Sequence, residues 1–463
     1  MRVSFRDPDG NVEDDGRQVW RKVQPHAVGA TAKLLNSPLY AELVRDGLLI
    51  GVEEQQHQPD DTLLLRHRRV PLPTYPFEWA PAMLADAAQL TLDIQRRAWA
   101  QGWTLKDAAA GNVLFEGSRP VFCDLLSLQR RQAGDLPGWV AYGQFVRHFV
   151  LPLLAVSQLG RTPRDIFLAA RDGLRAAELA PYLPWHAHLS LSMWLHVRLP
   201  ARLERRRIHH DQTRRIPAKP GAPDGTPWLL GNLQRFVTQI TARGRGVSTW
   251  SEYTGNRDHY QAAELVAKRE AVAQLTAGGR FERVLDIGAN TGEFSLIAAR
   301  AGSKVVALDD DVNALHDLHK QAREHLLPVQ CVHANFAHPT PATGWRLAET
   351  LGLPQRFAGR FDLVLALAVV HHLTVTERLP TAQLFEVLAG YCRGTLLLEF
   401  VPRDDPRFVE LAGPNLSLYD HWDLAFVLRC AEPWFTLQEQ VTVSQHRTLL
   451  HLTRRDAPPG AAA

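Results

Sequence analysis

The residues whose types and spacing point most directly to chemistry lie in the stretch VLDIGANTGEFS, residues 284–295. An apolar run ends at Asp286, a turn contains Gly288 and Gly292, and helical spacing begins immediately afterwards. Glycine adopts positive φ angles and lets the backbone approach a ligand closely. Tight turns between a strand and a helix also occur in purely structural roles, so the neighbouring residues must decide between the two interpretations.

A second acidic residue favours the ligand-binding interpretation. Asp309 stands 17 residues after Gly292, at the end of the next predicted strand, KVVALDDD (304–311). A carboxylate in that place can accept hydrogen bonds from both hydroxyls of a ribose. In α/β sheets, ligands bind in the crevice at the carboxyl ends of the strands, where the strand order reverses. The glycine turn together with Asp309 therefore predicts a nucleotide-like ligand.

The order of the residues argues against a dinucleotide. A dinucleotide-binding turn reads G-x-G-x-x-G without a preceding acid, whereas here Asp286 precedes the first glycine and the spacing is G-x-x-x-G. A carboxylate there repels a pyrophosphate and suits an ammonium group. The segment Asp286-Ile-Gly288-Ala-Asn290-Thr-Gly292 resembles the first motif of the class I S-adenosylmethionine (SAM)-dependent methyltransferases, an acid followed by G-x-G-x-G. Asn290 replaces the middle glycine, and asparagine tolerates left-handed angles better than most residues.

This resemblance extends over about residues 247–453 and implies that SAM is the cofactor. It implies that Asp286 and the loop backbone hold the methionine end and that Asp309 holds the ribose. Asn335, after the third predicted strand of this half, stands where the family places a polar contact to adenine. Because asparagine also favours turns, a local turn is the alternative for Asn335.

Two histidines follow the fourth strand of the same half, in Ala-Val-Val-His371-His372-Leu. The family places substrate-facing residues here, and many small-molecule methyltransferases carry a similar hydrophobic-His-His-Leu stretch. The Pro-Pro-aromatic and Pro-Cys segments of DNA methyltransferases are absent from this position. Either histidine is a candidate for removing a proton as the methyl group arrives. The alternative is that one of them packs against the sheet or caps the next helix.

The elements that must position these residues alternate between strands and helices. The strands show almost no alternation of polar and apolar residues, as expected when helices cover both faces of a parallel sheet. This half is therefore predicted to be an α/β doubly wound, Rossmann-like domain. The final stretch, 435–455, alternates better and predicts an antiparallel edge pair. The predicted parallel strands are 282–288, 304–311, 329–336, 361–370 and 394–401.

The middle of the chain changes composition. Residues 201–215 contain six arginines, and residues 216–227 contain four prolines and two glycines. The second stretch has no helical or strand period and is typical of a linker. We therefore predict an N-terminal domain over 1–215, a linker over 216–227 and a methyltransferase domain over 228–463. The arginines form either a solvated helix face or a polyanion-binding surface. Nucleic acid is not favoured, because the net charge is only +3.

The N-terminal domain is predicted to be α+β, with short strands before long helices, and contains a second motif. In TLKDAAAGNVLFEGSRPVFCDLLSL (104–128), Asp107 is followed by Asn112, and a two-strand unit then leads to Asp124. This arrangement resembles the catalytic and metal-binding loops of the protein kinase-like fold. The resemblance implies that Asp107 accepts a hydroxyl proton and that Asn112 and Asp124 hold magnesium.

This second resemblance is incomplete. Leu105 replaces the usual histidine, no Phe-Gly follows Asp124, and there is no G-x-G-x-x-G turn. Lys22 and Lys33 are candidates for the phosphate-binding lysine, with Glu42 as its partner. The departures favour a degenerate kinase-like accessory domain. The alternatives are a hairpin loop built from turn residues, a phosphotransferase whose C-terminal domain senses SAM, and a non-enzymatic SAM-binding protein.

The overall composition is that of a globular enzyme. The chain has 463 residues, 45% of them hydrophobic and 22% charged, which excludes a disordered chain, a collagen and a coiled coil. The four cysteines lie far apart with no C-x-x-C pair, so neither a disulfide framework nor a structural metal site is predicted. The N-terminus is polar and acidic, and the longest apolar run has eight residues (363–370). We therefore expect a cytoplasmic enzyme with no membrane span and an acceptor that the sequence does not identify.

Overall fold

A computed structural model describes residues 2–4, 6–132, 138–184, 190–209, 224–243, 259–444 and 447–456. The chain divides into two compact units. The first unit contains Met1–Gly246 and Ala342–Thr350, and the second contains Val247–Pro341 and Leu351–Ala463. Most of the predicted linker and the end of the arginine-rich segment, residues 210–223, lie outside the described residues.

The first unit opens with an antiparallel sheet that is followed by helices. Within its described residues the sheet has five strands in the order β1-β2-β3-β5-β4. Alternate residues of β3 and β5 are buried, so Arg21 and His67 lie among apolar neighbours on one face. The elements are β1 (Arg2–Ser4), β2 (Gly10–Asp14), β3 (Val19–Val23), α1 (Pro25–Leu35), α2 (Pro38–Arg45), β4 (Val52–His57) and β5 (Leu63–His67).

The remainder of the first unit is mostly helical and contains two short strand pairs. β6 (Trp103–Leu105) pairs with β9 (Leu128–Arg130), and β7 (Val113–Glu116) pairs with β8 (Arg119–Phe122). The β7–β8 hairpin is the predicted two-strand unit between Asn112 and Asp124. The helices are α3 (Pro81–Ala100), α4 (Tyr142–Phe145), α5 (Leu151–Leu159), α6 (Pro163–Ala169), α7 (Ala176–Leu179), α8 (Leu191–Met193), α9 (Leu199–His209) and α10 (Thr226–Arg243).

The boundary of the first unit differs from the predicted one. α10 begins in the last two residues of the predicted linker, yet it packs against α3, and the Gln89 side chain donates to the Gln234 carbonyl at 3.1 Å. Ala342–Thr350 also belongs to this unit, because Glu349 pairs with Arg6 and Arg171. The sequence did not predict either feature, since both depend on contacts between residues far apart in the chain.

The second unit is a doubly wound α/β domain. Its seven described strands have the order β12-β11-β10-β13-β14-β16-β15. The first five are parallel, and β16 and β15 form the antiparallel edge pair. The strands are β10 (Arg283–Ile287), β11 (Lys304–Asp309), β12 (Val329–His333), β13 (Phe361–Ala366), β14 (Cys392–Phe400), β15 (Phe435–Thr442) and β16 (Thr448–Arg454). The predicted fold class of this half is confirmed.

The direction of the strand order reverses between β10 and β13. The chain runs from β10 through β11 to β12 on one side, and β13 and β14 lie on the other. Such a switch point opens a crevice at the carboxyl ends of β10 and β13. The helices are α11 (His259–Thr276), α12 (Glu293–Arg300), α13 (Val312–Glu324), α14 (Leu353–Phe357), α15 (Val370–Val375), α16 (Thr381–Tyr391), α17 (Pro406–Ala412) and α18 (Leu424–Ala431).

None of the helices in the described parts of the chain combines the length and the apolar character needed to cross a bilayer.

Gly292 is a position where only glycine fits the loop between β10 and α12. Its φ is +78°, and a Cβ atom there would lie 2.1 Å from the Leu318 side chain. We therefore expect Gly292→Ala to lower the free energy of unfolding by about 1–3 kcal/mol through strain and overpacking. Gly390→Ala is the matched control, because Gly390 lies in α16 with no atom within 4 Å of the added Cβ. Urea denaturation of the full chain measures both variants, and equal stability of the two would contradict this account.

Candidate functional site

The glycine loop connects the carboxyl end of β10 to α12. Three of its residues have positive φ angles: Gly288 at +71°, Asn290 at +48° and Gly292 at +78°. The backbone N–H groups of Gly288 and Ala289 both donate to the Leu308 carbonyl, at 2.9 and 3.1 Å. The loop is therefore attached to β11 as well as to β10, and it curls over the ends of both strands.

Asp286 lies at the end of β10 and is almost fully buried. The Ser295 hydroxyl, in the first half of α12, donates to its carboxylate at 2.6 Å. The pKa of Asp286 is raised to about 6, chiefly by burial; the Ser295 hydrogen bond opposes the shift, and the negative charge of Asp309 adds to it. Sequence reasoning missed Ser295, because the spacing from Asp286 becomes meaningful only when α12 folds back beside β10.

Asp309 occupies the end of β11 and adjoins the loop. One carboxylate oxygen accepts from the Asn290 N–H at 2.7 Å, and the other accepts from the Asp311 N–H at 2.7 Å. Burial raises the pKa of this carboxyl as well. The structure thus brings Asp286, the loop and Asp309 together at one edge of the sheet.

One atom of the loop indicates that a ligand belongs there. The side-chain amide oxygen of Asn290 is buried and has no hydrogen-bond partner among the described residues. A buried polar atom without a partner is costly and calls for an explanation such as an absent ligand. The positive φ angles, the orphaned oxygen and the two acidic side chains together fit a ligand that carries both a cationic group and a ribose.

Asn335 lies just beyond β12, and its side chain is engaged locally. Its amide oxygen accepts from the N–H groups of Ala337 and His338, at 2.8 and 3.1 Å. Its amide nitrogen donates to Asp310 at 3.1 Å and to Glu377 at 3.3 Å. These contacts correspond to the turn interpretation, and they also connect the β12 end to the segment after α15.

The two histidines are the second and third residues of α15, which follows β13 after a short loop. His371 is buried and stacks on Phe408, and burial lowers its pKa to about 3. His372 is half-buried, and burial lowers its pKa too. Both rings are therefore neutral near pH 7. The Nδ1 atom of His371 has no partner among the described residues.

A buried ionic cluster lies beside His371, and no sequence pattern predicted it. Lys268 Nζ lies 2.5 Å from Glu264 and 2.7 Å from Glu399. Arg447 contacts the same two carboxylates at 3.1 and 3.2 Å. Burial acts to raise the pKa of Asp405, but the ion pair with Arg447 at 2.8 Å, together with a backbone hydrogen bond, outweighs it and lowers that pKa.

The ionic cluster joins four segments of the second unit around the end of β14. Glu399, near the carboxyl end of β14, has a fully buried side chain, and its second carboxylate oxygen has no partner among the described residues. α11 supplies Lys268, and the β15–β16 turn supplies Arg447. Because buried charges are costly unless paired, these mutual ion pairs hold the four segments together beside His371.

In the first unit, the structure brings Asp107, Asn112 and Asp124 into one cluster. Burial raises the pKa of Asp107, and the negative charge of Asp124 raises it further. A hydrogen bond from Asn112 opposes that shift. Asn112 also lies 3.4 Å from the Ser127 hydroxyl, which in turn donates to Asp124.

A buried arginine holds Asp124. Arg21, on β3, donates to one Asp124 oxygen at 2.8 Å and to the Cys123 carbonyl at 3.0 Å. Ser127 binds the other oxygen. Arg21 therefore already balances the negative charge of Asp124, and this pairing opposes the magnesium ion that the kinase-like resemblance implies.

The lysines and the glutamate proposed for a phosphate site lie elsewhere. Lys22 pairs with Asp60 at 3.0 Å, on the face of β3 opposite to Arg21. Glu42 pairs with Arg97 at 2.8 Å rather than with a lysine. Lys33, in the last turn of α1, lines a surface cavity. The two-residue period of β3 explains why Arg21, and not Lys22, faces Asp124.

The profile of the methyltransferase domain family matches residues 285–383. Nodulation protein NoeA of Rhizobium meliloti (strain 1021) is 29% identical, and the match covers 98% of this chain and 96% of that protein.

Solved structures resemble parts of the chain. The N-methyltransferase NodS of Bradyrhizobium japonicum WM9 is 12% identical, with a TM-score of 0.32, over 43% of this chain and 99% of its own. The bifunctional kinase-methyltransferase WbdD is 20% identical, with a TM-score of 0.30, over 45% of this chain and 43% of its own.

The family match spans the segment that contains the glycine loop, Asp309, Asn335 and both histidines, within a sheet whose order and direction agree with the predicted fold. The C-terminal half of this chain is therefore a SAM-dependent methyltransferase domain, and its cofactor is S-adenosylmethionine.

Proposed function

We propose that this enzyme methylates a small molecule rather than DNA. The observation that carries the proposal is the hydrophobic-His371-His372-Leu segment that follows β13, which resembles the segment of many small-molecule methyltransferases. The absence of the DNA-methyltransferase segments after β13 supports the same conclusion.

The cofactor supplies an electrophilic methyl group on a sulfonium. In our proposal Asp286 binds its ammonium group, and the backbone of Gly288, Asn290 and Gly292 lies against its methionine end. Asp309 accepts hydrogen bonds from the ribose hydroxyls while it retains the Asn290 N–H. Asn335 bounds the adenine side through the turn that its side chain stabilises.

The roles of the two histidines differ in this proposal. His371 stacks on Phe408 in a buried environment and serves to pack α15 against α17. His372 is less buried and is the candidate that accepts a proton from the acceptor. Methyl transfer depends chiefly on holding the nucleophile in line with the methyl carbon, so a base contributes less than positioning does.

The acceptor proposal predicts where labelled methyl groups will appear. The full chain, incubated with SAM labelled in its methyl group and fractionated bacterial extract, should label the low-mass fraction and not the protein or nucleic-acid fractions. Label found only in nucleic acid would overturn the proposal.

Asp309→Ala is the binding-deficient control for the labelling experiment. It removes the hydrogen bonds that the Asp309 carboxylate would accept from the ribose, so SAM binding should weaken by about 1.5–3 kcal/mol. Asp317→Asn, on the exposed side of α13, should change neither binding nor labelling. Unchanged calorimetric affinity in Asp309→Ala would remove the ribose assignment.

The raised pKa of Asp286 predicts a pH dependence of cofactor binding. Only the ionised carboxylate attracts an ammonium group, so SAM affinity should fall below about pH 6, where the free site becomes protonated, by up to about tenfold per pH unit. Asp286→Asn should bind SAM more weakly and without this dependence. Calorimetry between pH 5 and 7.5 (about two and a half units) measures the difference.

The stability of the SAM-free protein should change with pH in the opposite direction to the SAM affinity. A carboxyl whose pKa is raised on folding contributes stability below its unfolded pKa, and that contribution disappears as the pH rises through about 6. Asp286 therefore opposes folding at the pH at which it favours SAM binding.

A wild-type SAM affinity that is constant between pH 5 and 7.5 would contradict the assignment of Asp286 to the ammonium group.

For the first unit we propose a degenerate kinase-like accessory role. The gathering of Asp107, Asn112 and Asp124 supports a kinase-like site, and the contact between Arg21 and Asp124 opposes magnesium-dependent catalysis. Phosphoryl transfer depends on electrostatic stabilisation by metal ions and donors, so a site that lacks them should be slow by several kcal/mol of barrier.

This proposal predicts that the full chain turns over magnesium–ATP weakly or not at all. Phosphate release and transfer from radiolabelled ATP measure the activity, and Asp107→Asn is the comparison variant. Robust turnover that Asp107→Asn abolishes would overturn the degenerate interpretation and establish a phosphotransferase.

A further inference from the structure

The second unit contains a cavity that neither the glycine loop nor the ionic cluster lines. Its volume is about 580 Å³, and it lies between the segment joining α15 to α16, the 3₁₀ turn Gly413–Tyr419 and α18. It is large enough for a small organic molecule. The residues that carry the argument are Thr374, Arg378, Thr381, Ala382, Tyr419 and Phe426.

The first turn of α16 contributes to the wall of this cavity. α16 has 11 residues and begins at Thr381, and Thr381 and Ala382 both line the cavity. No side chain caps this helix, and its first turn contains no acidic residue. The first backbone N–H groups of a helix have no partner within the helix and carry partial positive charge, which favours a bound anion.

A second, independent feature of the same wall indicates a missing ligand. Thr374 is 8% exposed and lines the cavity, and its hydroxyl has no hydrogen-bond partner among the described residues. A buried hydroxyl loses free energy when it makes no hydrogen bond. A ligand with an acceptor oxygen would satisfy it.

Arg378 is the one ionised side chain among the described residues that line the cavity. Arg378 is exposed at its rim and makes no ion pair within the described residues. No aspartate or glutamate is among the described residues that line the cavity. Tyr419 and Phe426 supply aromatic surface next to this cationic end. The walls therefore combine a donor-rich, positive end with an apolar body.

We propose that this cavity binds a small organic anion, with its negative group at the start of α16 between Arg378 and Thr374 and its apolar body against Tyr419 and Phe426. The site does not depend on the identity of the methyl acceptor. It lies along α15 from His371, since Thr374 is three residues further along the same helix. An occupant would therefore contact the helix that begins at the β13 end.

Calorimetry and ligand-observed NMR test the proposal by measuring whether phenyl phosphate and benzoate bind to the full chain. At least one of the two anions should bind, phenol should bind at least tenfold more weakly, and added salt should weaken binding. The stronger of the two anions identifies the preferred negative group. Arg378→Gln should lower the affinity for that anion at least fivefold, and Thr374→Val should lower it at least twofold.

Arg407→Gln is the matched control, because Arg407 is an arginine on α17 that pairs with Glu410. It should leave anion binding unchanged, and SAM affinity should be the same in all three variants. Arg378 is exposed, so its variant decides the question even where Thr374→Val fails to fold. The proposal is overturned if neither anion binds, if phenol binds as tightly, or if Arg378→Gln and Arg407→Gln behave alike. Loss of SAM binding alone would count against the cofactor assignments and not against this site.

Discussion

The hydrogen bond from the Asn290 amide to the Asp309 carboxylate is the contact on which the geometry of the cofactor site depends. It fastens the loop after β10 to the end of β11, so two acidic residues from different strands face one crevice. The bond forms because Gly288, Asn290 and Gly292 adopt positive φ angles, which turn the N–H groups of Gly288 and Asn290 toward β11. At Gly292 there is also no room for a side chain beside Leu318.

The second constraint is the cost of burying charge. Asp286 and Asp309 both lie in surroundings that raise their pKa values, and such surroundings favour a ligand that brings a compensating positive charge or hydrogen-bond donors. In the ionic cluster around Glu399, the positive charges of Lys268 and Arg447 balance the buried carboxylate within the protein. One set of carboxylates is thus balanced within the protein, while the other is left for the cofactor.

The first unit shows how a single cation changes the chemistry of a recognisable arrangement. Asp107, Asn112 and Asp124 come together because the β7–β8 hairpin returns the chain beside its start. Arg21 then supplies to Asp124 the positive charge that a metal ion would otherwise supply. The same three residue types therefore form a neutralised, hydrogen-bonded cluster instead of an open metal site.

Local patterns in the sequence determined the α/β class of the C-terminal half, the cofactor and the positions of Asp286, Asp309 and the glycine loop, because buried parallel strands and a tight strand–helix turn leave short-range signatures. Tertiary structure alone decided the partners that act on these residues. Ser295, Arg21 and the Glu399 cluster depend on chain segments 9 to 183 residues apart, for which no spacing rule exists. The boundary of the first unit was missed for the same reason, since a proline-rich stretch signals a break in regular structure but does not show which unit the following helix joins. The neutral state of His371 was likewise decided by burial against Phe408 and not by its position in the motif.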